Sequence, residues 1–134
     1  MTIAGVIALL LLAMLAYVRL APSDPTIWHR MPDFAEGRDG NNSASRRVTL
    51  GPGALKKFNA EALSDPRTHV LAGSVEDGMV TYISRTRTVG FPDYTTARQD
   101  GDDLLVFGRS RFGRRDLGVN AARVDRWIEA LTAY

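Results

Sequence analysis

Four arginines are the side chains of this sequence best placed to do chemistry, because they come in pairs two residues apart. Residues two apart on a β-strand project from the same face, so Arg85 would lie beside Arg87, and Arg109 beside Arg111. Guanidinium groups at that density suit a carboxylate, a phosphate or a lipid headgroup. The pattern predicts a sheet face that binds an anion or an acidic partner.

The same four arginines could instead form ordinary ion pairs on a solvated face of the sheet. Asp93, Asp116 and the acidic cluster at 100–103 could supply the carboxylates. Surface pairs of this kind are usually weak and need no ligand. Ile83 and Phe107 share the parity of the arginines, so the face would be apolar at one end and cationic at the other. Both interpretations stay open.

Other residues that could act in catalysis or bind a metal lack companions at the necessary spacing. His29 and His69 are the two histidines of the chain, and each stands alone, so we expect structural or solvated roles. Asp93 and Asp116 could form an acid/base pair, but turn hydrogen bonding accounts for both more simply. The glycines at 51–53 lack the lysine-serine ending of a phosphate loop. We predict no catalytic residue, no metal site and no cofactor.

Composition limits the class of protein. The 134 residues include 17 basic and 15 acidic ones and no cysteine. Charges that nearly cancel do not indicate nucleic-acid binding, and without cysteine there are no disulfides or thiolate sites. Apolar residues make up 45% of the chain, but many fall within residues 1–21, which leaves one small domain.

An apolar segment at the N-terminus predicts a membrane anchor. Ile3–Val18 carries no charge, and extended to Ala21 it is long enough as a helix to span a hydrocarbon core of about 30 Å. A cleaved signal peptide is the alternative, but a basic n-region and a small-x-small cleavage site are missing. The sequence therefore favours an uncleaved transmembrane anchor over residues 1–21, ended by the prolines that follow.

Residues beyond the anchor predict its topology. No Lys or Arg precedes the apolar segment, whereas Arg19, Arg30 and Arg38 follow it. The positive-inside rule then places the domain on the cytoplasmic side of a single-pass membrane protein, which we expect in a bacterial inner membrane. Arg19 and Trp28 are expected at the membrane interface, although Trp28 could equally pack onto the domain.

The periodicity of the remaining chain predicts an α+β domain. Residues 22–47 are rich in Gly, Asn, Ser and charge and are expected to be a linker. In the domain at 48–134 we predict a helix at 54–64, a final helix capped by Asn120, and about four antiparallel strands, near 69–75, 79–89, 94–98 and 104–112. The two helices would cover one face of the sheet, with Trp127 of the final helix buried against the sheet.

Two blocks of sequence resemble a known family. Residues 89–94 form the first block, and residues 110–113, 116–120 and 123–124 form the second. On these motifs the chain resembles the domain-of-unknown-function 1499 family from about residue 50 to the C-terminus. The resemblance implies a fold unit without a named reaction or established catalytic residues. It implies a structural turn and helix start for the motif residues Gly90, Pro92, Asp93, Asp116, Gly118, Asn120 and Arg123.

These observations predict a membrane-anchored, non-enzymatic accessory or interaction subunit of a membrane protein assembly. Its partners would be the lipid bilayer and another membrane protein, and not nucleic acid. The alternative is a ligand-binding or lipid-binding module, or an unrecognised hydrolase, that uses the arginine-rich face. In the second motif block Arg114 and Arg115 stand where the family usually has an aromatic residue and a serine, which makes this turn more basic.

Overall fold

The computed structural model describes residues 1–34 and 36–133. Ala35 and Tyr134, which the predicted linker and domain included, lie outside the described residues. The elements in chain order are α1 (Ile3–Leu20), α2 (Pro25–Trp28), β1 (Ser43–Thr49), α3 (Ala54–Ser64), β2 (Thr68–Ser74), β3 (Met79–Arg85), β4 (Pro92–Asp100), β5 (Asp103–Ser110) and α4 (Val119–Thr132). They confirm the predicted α+β class with an N-terminal apolar helix.

One antiparallel sheet organises the domain. Its strand order is β1-β5-β4-β3-β2, so β2 to β5 form a meander and β1 joins at the outer edge of β5. The register aligns Ile83 with Tyr94 and Tyr94 with Arg109, which fixes the side chains that share a face. The sheet has five strands where the sequence predicted about four.

The additional strand, β1, occupies the end of the segment expected to be a linker. Its sequence is polar because Arg46 and Arg47 make ion pairs in place of apolar contacts. Arg46 pairs with Asp125 at 2.8 Å, and Arg47 pairs with Asp103 at 2.9 Å. Strands at a sheet edge commonly carry such charges, so polar composition at residues 43–47 wrongly indicated a linker.

The ends of several elements also differ from the predicted ones. β3 stops at Arg85, not at residue 89, because Thr86 starts a turn in which the Gly90 amide donates to the Thr86 carbonyl at 3.1 Å. Gly90 has φ 81°, a conformation that favours glycine. Likewise β5 ends at Ser110, not at residue 112. Strand pairing therefore stops before Arg87 and Arg111.

The start of α4 is a second correction. Asn120 was expected to cap this helix, but the helix begins at Val119, and Asn120 lies inside its first turn. The Asp116 carboxylate accepts hydrogen bonds from the Gly118 amide at 2.9 Å and the Asn120 amide at 3.1 Å. It thus satisfies amides that have no partner within the helix.

The core lies between the sheet and the pair α3 and α4. Trp127 is 2% exposed, which confirms its predicted burial. Its ring meets Phe58 at 5.7 Å and Tyr82 at 6.3 Å, both edge to face. Aromatic contacts of this geometry add to the free energy of burial, so this triad ties the two helices to β3.

The opposite face of the sheet is covered by the segment that follows α1, residues 21–34, which we call the strap. Trp28 stacks on Tyr94 with ring centroids 4.2 Å apart. His29 Nδ1 lies 2.7 Å from Thr81 Oγ1, and Ser23 Oγ lies 2.6 Å from the Tyr94 hydroxyl. The strap makes the fold three-layered, with α3 and α4 on one side of the sheet and the strap, which includes the short helix α2, on the other.

α1 extends beyond these layers. It is long and apolar enough to cross a membrane, a property that signal sequences share. Val18 in its last turn is buried, whereas most of its large apolar side chains are exposed. Only the end of α1 therefore contacts the domain.

Candidate functional site

The arginines predicted to share a face are placed in two different ways. Arg85, Arg109 and Arg111 all contact residues on the strap side of the sheet, opposite α3 and α4. Arg87 lies in the turn after β3 and is exposed. The sequence thus placed three of the four guanidinium groups on one side and misplaced that of Arg87, because β3 ends two residues before it.

Arg109 is buried beneath the strap. Its Nη1 donates to Thr96 Oγ1 at 2.8 Å and to the Phe107 carbonyl at 3.1 Å, and its Nη2 donates to the Trp28 carbonyl. The guanidinium also lies 4.8 Å from the centre of the Phe107 ring and 5.8 Å from that of Trp28. Burial lowers the pKa of Arg109 to about 10, so it stays charged at neutral pH.

Arg85 and Arg111 donate hydrogen bonds to backbone carbonyls at the junction between α1 and the strap. Arg85 Nη1 donates to the Val18 carbonyl at 3.4 Å and to the Gly90 carbonyl at 2.9 Å. Arg111 Nη1 donates to the Pro22 carbonyl at 2.9 Å. On this face the arginines therefore bind carbonyl oxygens of their own chain, and a role in binding an external anion here stays a prediction.

The acidic residues proposed as partners of these four arginines pair elsewhere. Asp93 pairs with Arg123 at 3.2 Å, and the acidic cluster at 100–103 pairs with Arg47. None of the ion pairs within the described part of the chain involves Arg85, Arg87, Arg109 or Arg111. The alternative of an ordinary ion-paired face is therefore wrong for this set.

The residues expected at the membrane interface both contact the domain. Trp28 is half-buried against Tyr94, which decides its position in favour of packing. Arg19 is exposed, and its side chain donates to the Val89 carbonyl at 2.9 Å and the Thr88 carbonyl at 3.3 Å. Arg19 thus joins the last turn of α1 to the turn that follows β3.

The motif residues of the two sequence blocks meet at one end of the sheet, where β3 and β5 finish and β4 begins. We call it the anchor-side end, because the last turn of α1 contacts it. Asn120 is fully buried there, and its Nδ2 donates to Asp116 Oδ2 at 2.8 Å and to Ser110 Oγ at 3.0 Å. Arg123 Nη1 lies within hydrogen-bonding distance of both Asp93 Oδ2, at 3.2 Å, and Asn120 Oδ1, at 3.3 Å. The motif thus builds a continuous buried polar cluster.

The two carboxylates of this cluster have opposite electrostatics. Burial raises the pKa of Asp93, and the positive charge of Arg123 opposes this only in part. Burial would also raise the pKa of Asp116, but hydrogen bonds from Asn120 and from backbone amides outweigh it, so the pKa is lowered. The difference follows from the deeper burial of Asp93 and from the hydrogen-bond donors around Asp116.

Two cavities flank the polar cluster, and both are lined by Thr86 and Val119. The first, which we call the arginine cavity, has a volume of about 340 Å³. Its charged lining residues are Asp65, Arg67, Arg85, Arg87, Arg123 and Arg126. The second, the aromatic cavity, has a volume of about 250 Å³ and contains Phe91, Phe112, Asp93 and Ser110. The anchor-side end of the sheet therefore combines a buried polar cluster with two cavities, and it is the candidate site.

Sequence reasoning missed two arginines of this site, Arg67 and Arg126. Arg67 follows a proline outside any predicted strand, and Arg126 was not singled out within the last helix. Arg123 and Arg126 are one helical turn apart, so they share a face, which was an available signal. Arg67 comes near that helix face only through the register of the sheet, so the sequence around Arg67 contains no pattern that predicts it.

The two histidines considered for catalysis lie apart, whereas the carboxylates Asp93 and Asp116 come together in the polar cluster. His29 is bound to Thr81, and His69 is exposed on β2. Among the described residues, no three His, Cys, Asp or Glu side chains are grouped so as to hold a metal ion. The described side chains of the anchor-side end can recognise a ligand through hydrogen bonds and charge.

The chain matches a protein family over most of its length. A family model described as a protein of unknown function (DUF1499) matches residues 21–131, a span that begins at the strap and ends near the close of α4. No curated protein matches the chain.

Proposed function

Since the chain belongs to the DUF1499 family of proteins of unknown function, no reaction comes with its family, and we propose that it is a membrane-anchored, non-enzymatic accessory subunit of a membrane protein assembly. In this proposal α1 crosses the bilayer and stays attached. The anchor-side end of the sheet then lies at the membrane surface, where it meets a neighbouring membrane protein.

The contact between the end of α1 and the domain carries this proposal. Arg85 binds the Val18 carbonyl, and Arg19 binds the turn at 88–89. Tyr17 in the last turn of α1 packs edge to face on Phe112 with centroids 6.1 Å apart. Cleavage directly after the apolar helix would remove partners that the folded domain uses. These contacts support retention of α1 over its removal as a signal peptide.

Retention is tested by the mass of the mature protein. We expect the chain to fractionate with membranes, to resist alkaline carbonate extraction, and to have the intact mass of all its residues apart from processing of Met1. A soluble chain that lacks the apolar helix would overturn the anchoring part of the proposal.

Exposed apolar residues near α1 support the partner surface. Leu117 is 94% exposed, and Phe91 and Val119 are also exposed. Apolar side chains grouped at one end of a small domain commonly mark an interaction surface. Arg114 and Arg115 lie in the same loop and are exposed, so the surface would favour a partner with acidic residues around an apolar contact.

Site-specific photo-crosslinking tests this surface. A photoreactive residue at Leu117 should form an adduct with one membrane protein in native membranes. The same probe at Asp102, an exposed position in the turn at the opposite end of the sheet, should not. A strictly monomeric particle in native mass analysis after mild detergent extraction, with no adduct from Leu117, would contradict the accessory role.

We also propose that the domain is cytoplasmic, with the N-terminus on the other side. Three arginines follow α1 closely, at positions 19, 30 and 38, and no basic residue precedes it, which is the asymmetry used by the positive-inside rule. A reporter fused after Tyr134 should be active only in the cytoplasm. Activity confined to the outside would reverse the topology.

A further inference from the structure

The arginine cavity carries more positive charge than its surroundings neutralise. Five arginines line it, and Asp65 is the one acidic residue in the lining. Asp93 adds a second carboxylate by pairing with Arg123 from the neighbouring buried cluster. Guanidinium groups this close repel one another unless an anion lies between them.

Three of the five guanidinium groups already have partners. Arg126 pairs with Asp65 at 3.2 Å. Arg123 is held by Asp93 and Asn120, and Arg85 donates to two carbonyl oxygens, of Val18 and Gly90. These contacts fix the positions of the three side chains in the cavity wall. Each guanidinium carries five N–H donors, so all three groups keep donors that these contacts do not use.

The remaining two arginines have no such contact. Within the described part of the chain, the side chains of Arg67 and Arg87 make no hydrogen bond or ion pair, and both residues are exposed. Arg67 directly precedes β2, and Arg87 lies two residues after the end of β3. The two chain segments run side by side here, because the Arg85 amide donates to the Arg67 carbonyl at 3.1 Å. Nothing in the described fold requires these two charges at this place.

We propose that the arginine cavity binds the phosphate group of an anionic ligand, which the anchored protein meets as the headgroup of a phospholipid. Paired guanidinium groups match the oxygens of phosphate in geometry and charge. The volume of about 340 Å³ accommodates a phosphate with an attached glycerol-sized group. Phosphate recognition needs only the cavity, whereas the lipid as source rests on the proposed anchoring.

The position of the cavity supports a phospholipid as the source of the phosphate group. Arg85 lines the cavity and also touches Val18 in the last turn of α1. If α1 spans the bilayer, its last turn lies at the level of the headgroups, since 18 residues of helix extend about 27 Å. A cavity one arginine side chain away from that turn therefore lies at the depth of lipid phosphates.

Calorimetric titration of the full chain in a neutral detergent tests the proposal. The probes are inorganic phosphate, dioctanoyl phosphatidic acid, and dioctanoyl phosphatidylcholine as a zwitterionic reference. The variant Arg67→Gln/Arg87→Gln removes two charges that make no described contact, so it should keep the wild-type melting temperature. The control Lys56→Gln/Lys57→Gln removes the same charge from exposed positions at the start of α3, near the opposite end of the sheet.

We expect phosphatidic acid to bind with a Kd that rises at least about tenfold in the arginine variant and less than about twofold in the lysine control. Binding should also weaken as salt is added. If phosphatidic acid binds much more tightly than inorganic phosphate, the ligand of the cavity is a lipid. Equal affinity for the two probes keeps the phosphate site but overturns the lipid source.

Two outcomes would overturn the site itself. One is the absence of binding by either phosphate probe, and the other is an equal loss of affinity in the arginine variant and the lysine control. Because the titration is done in detergent, neither outcome depends on whether α1 is retained in cells. Failure of the phosphate site and failure of the proposed anchoring are thus distinguishable.

Discussion

At the scale of single residues, Asp93 and Asp116 show how one polar cluster can hold two carboxylates of opposite character. Asp93 is almost fully buried, and its raised pKa means that the folded state disfavours its charge despite Arg123. Asp116 accepts three described hydrogen bonds, from Gly118 and Asn120. Of the two carboxylates, Asp116 is therefore the one whose ionisation stabilises the fold.

The variant Asp116→Asn should change how stability depends on pH. A lowered folded-state pKa gives a contribution that is present above the unfolded value, about 3.9, and is lost as the pH falls through the folded value. We expect the variant to be less stable than wild type at pH 7 and to lose less stability on acidification below about pH 5. Urea unfolding at a series of pH values measures both effects. Parallel pH profiles for the two proteins would contradict the role of Asp116.

Trp127 is a residue whose contribution was predictable from the sequence. Its ring fills the space between Phe58 and Tyr82, so Trp127→Ala should leave a cavity and lower the free energy of unfolding by about 3–5 kcal/mol. Thermal or urea unfolding followed by circular dichroism measures this change. Leu63→Ala at a more exposed position on α3 serves as the control and should cost less than about 1 kcal/mol. Similar losses in both variants would show that the triad is not the centre of the core.

At the scale of elements, apolar periodicity predicted what packs through apolar side chains. Helical spacing puts Leu55, Phe58, Ala62 and Leu63 on one side of α3, and the first three are buried, whereas Leu63 is exposed. β1 was missed because its two arginines make ion pairs, and the strap was missed because much of its attachment uses backbone carbonyl oxygens. Hydrogen bonds such as that from Arg111 to the Pro22 carbonyl leave no trace in a hydrophobicity pattern.

The placement of the arginines shows the same limit. Strand parity correctly put Arg85 and Arg109 on one side of the sheet, since the register aligns Ile83 with Tyr94 and Tyr94 with Arg109. Parity could not reveal that the strap covers that side. The arginine cavity was not predicted either, because it joins a helix face to a turn and to the start of β2, which are distant in sequence.

The strap should be energetically coupled to the sheet through Arg109. The Trp28 carbonyl accepts from this buried guanidinium, and the Trp28 ring lies near it. In a double-mutant cycle, Trp28→Ala and Arg109→Gln should therefore show an interaction energy of about 0.5–3 kcal/mol. A parallel cycle of Trp28→Ala with Lys57→Ala should be additive within about 0.5 kcal/mol. Additivity in the first cycle would mean that the Trp28 ring, as distinct from its backbone carbonyl, is not coupled to this arginine.

At the scale of the whole molecule, the two ends of the sheet differ in character. The anchor-side end carries the end of α1, the buried polar cluster, both cavities and the loop at 111–118. The opposite end carries the β2–β3 and β4–β5 turns and the start of α3. Because α1 is joined to the anchor-side end by hydrogen bonds and an aromatic contact, the domain has one fixed orientation relative to that helix. A bilayer around α1 would then always face the same end.

That orientation predicts which positions lie near lipid. The chain has no cysteine, so single cysteines can be introduced and labelled with a fluorescent dye. In nanodiscs, the dye at Leu117→Cys should be quenched by a quencher attached to lipid headgroups. The dye at Asp102→Cys should not, since the strands between the two ends extend roughly 25 Å. Free rotation of the domain about residues 21–34 would give similar, weak quenching at both positions. Strong quenching at Leu117 alone would instead require the rigid junction formed by Arg19, Arg85 and Tyr17.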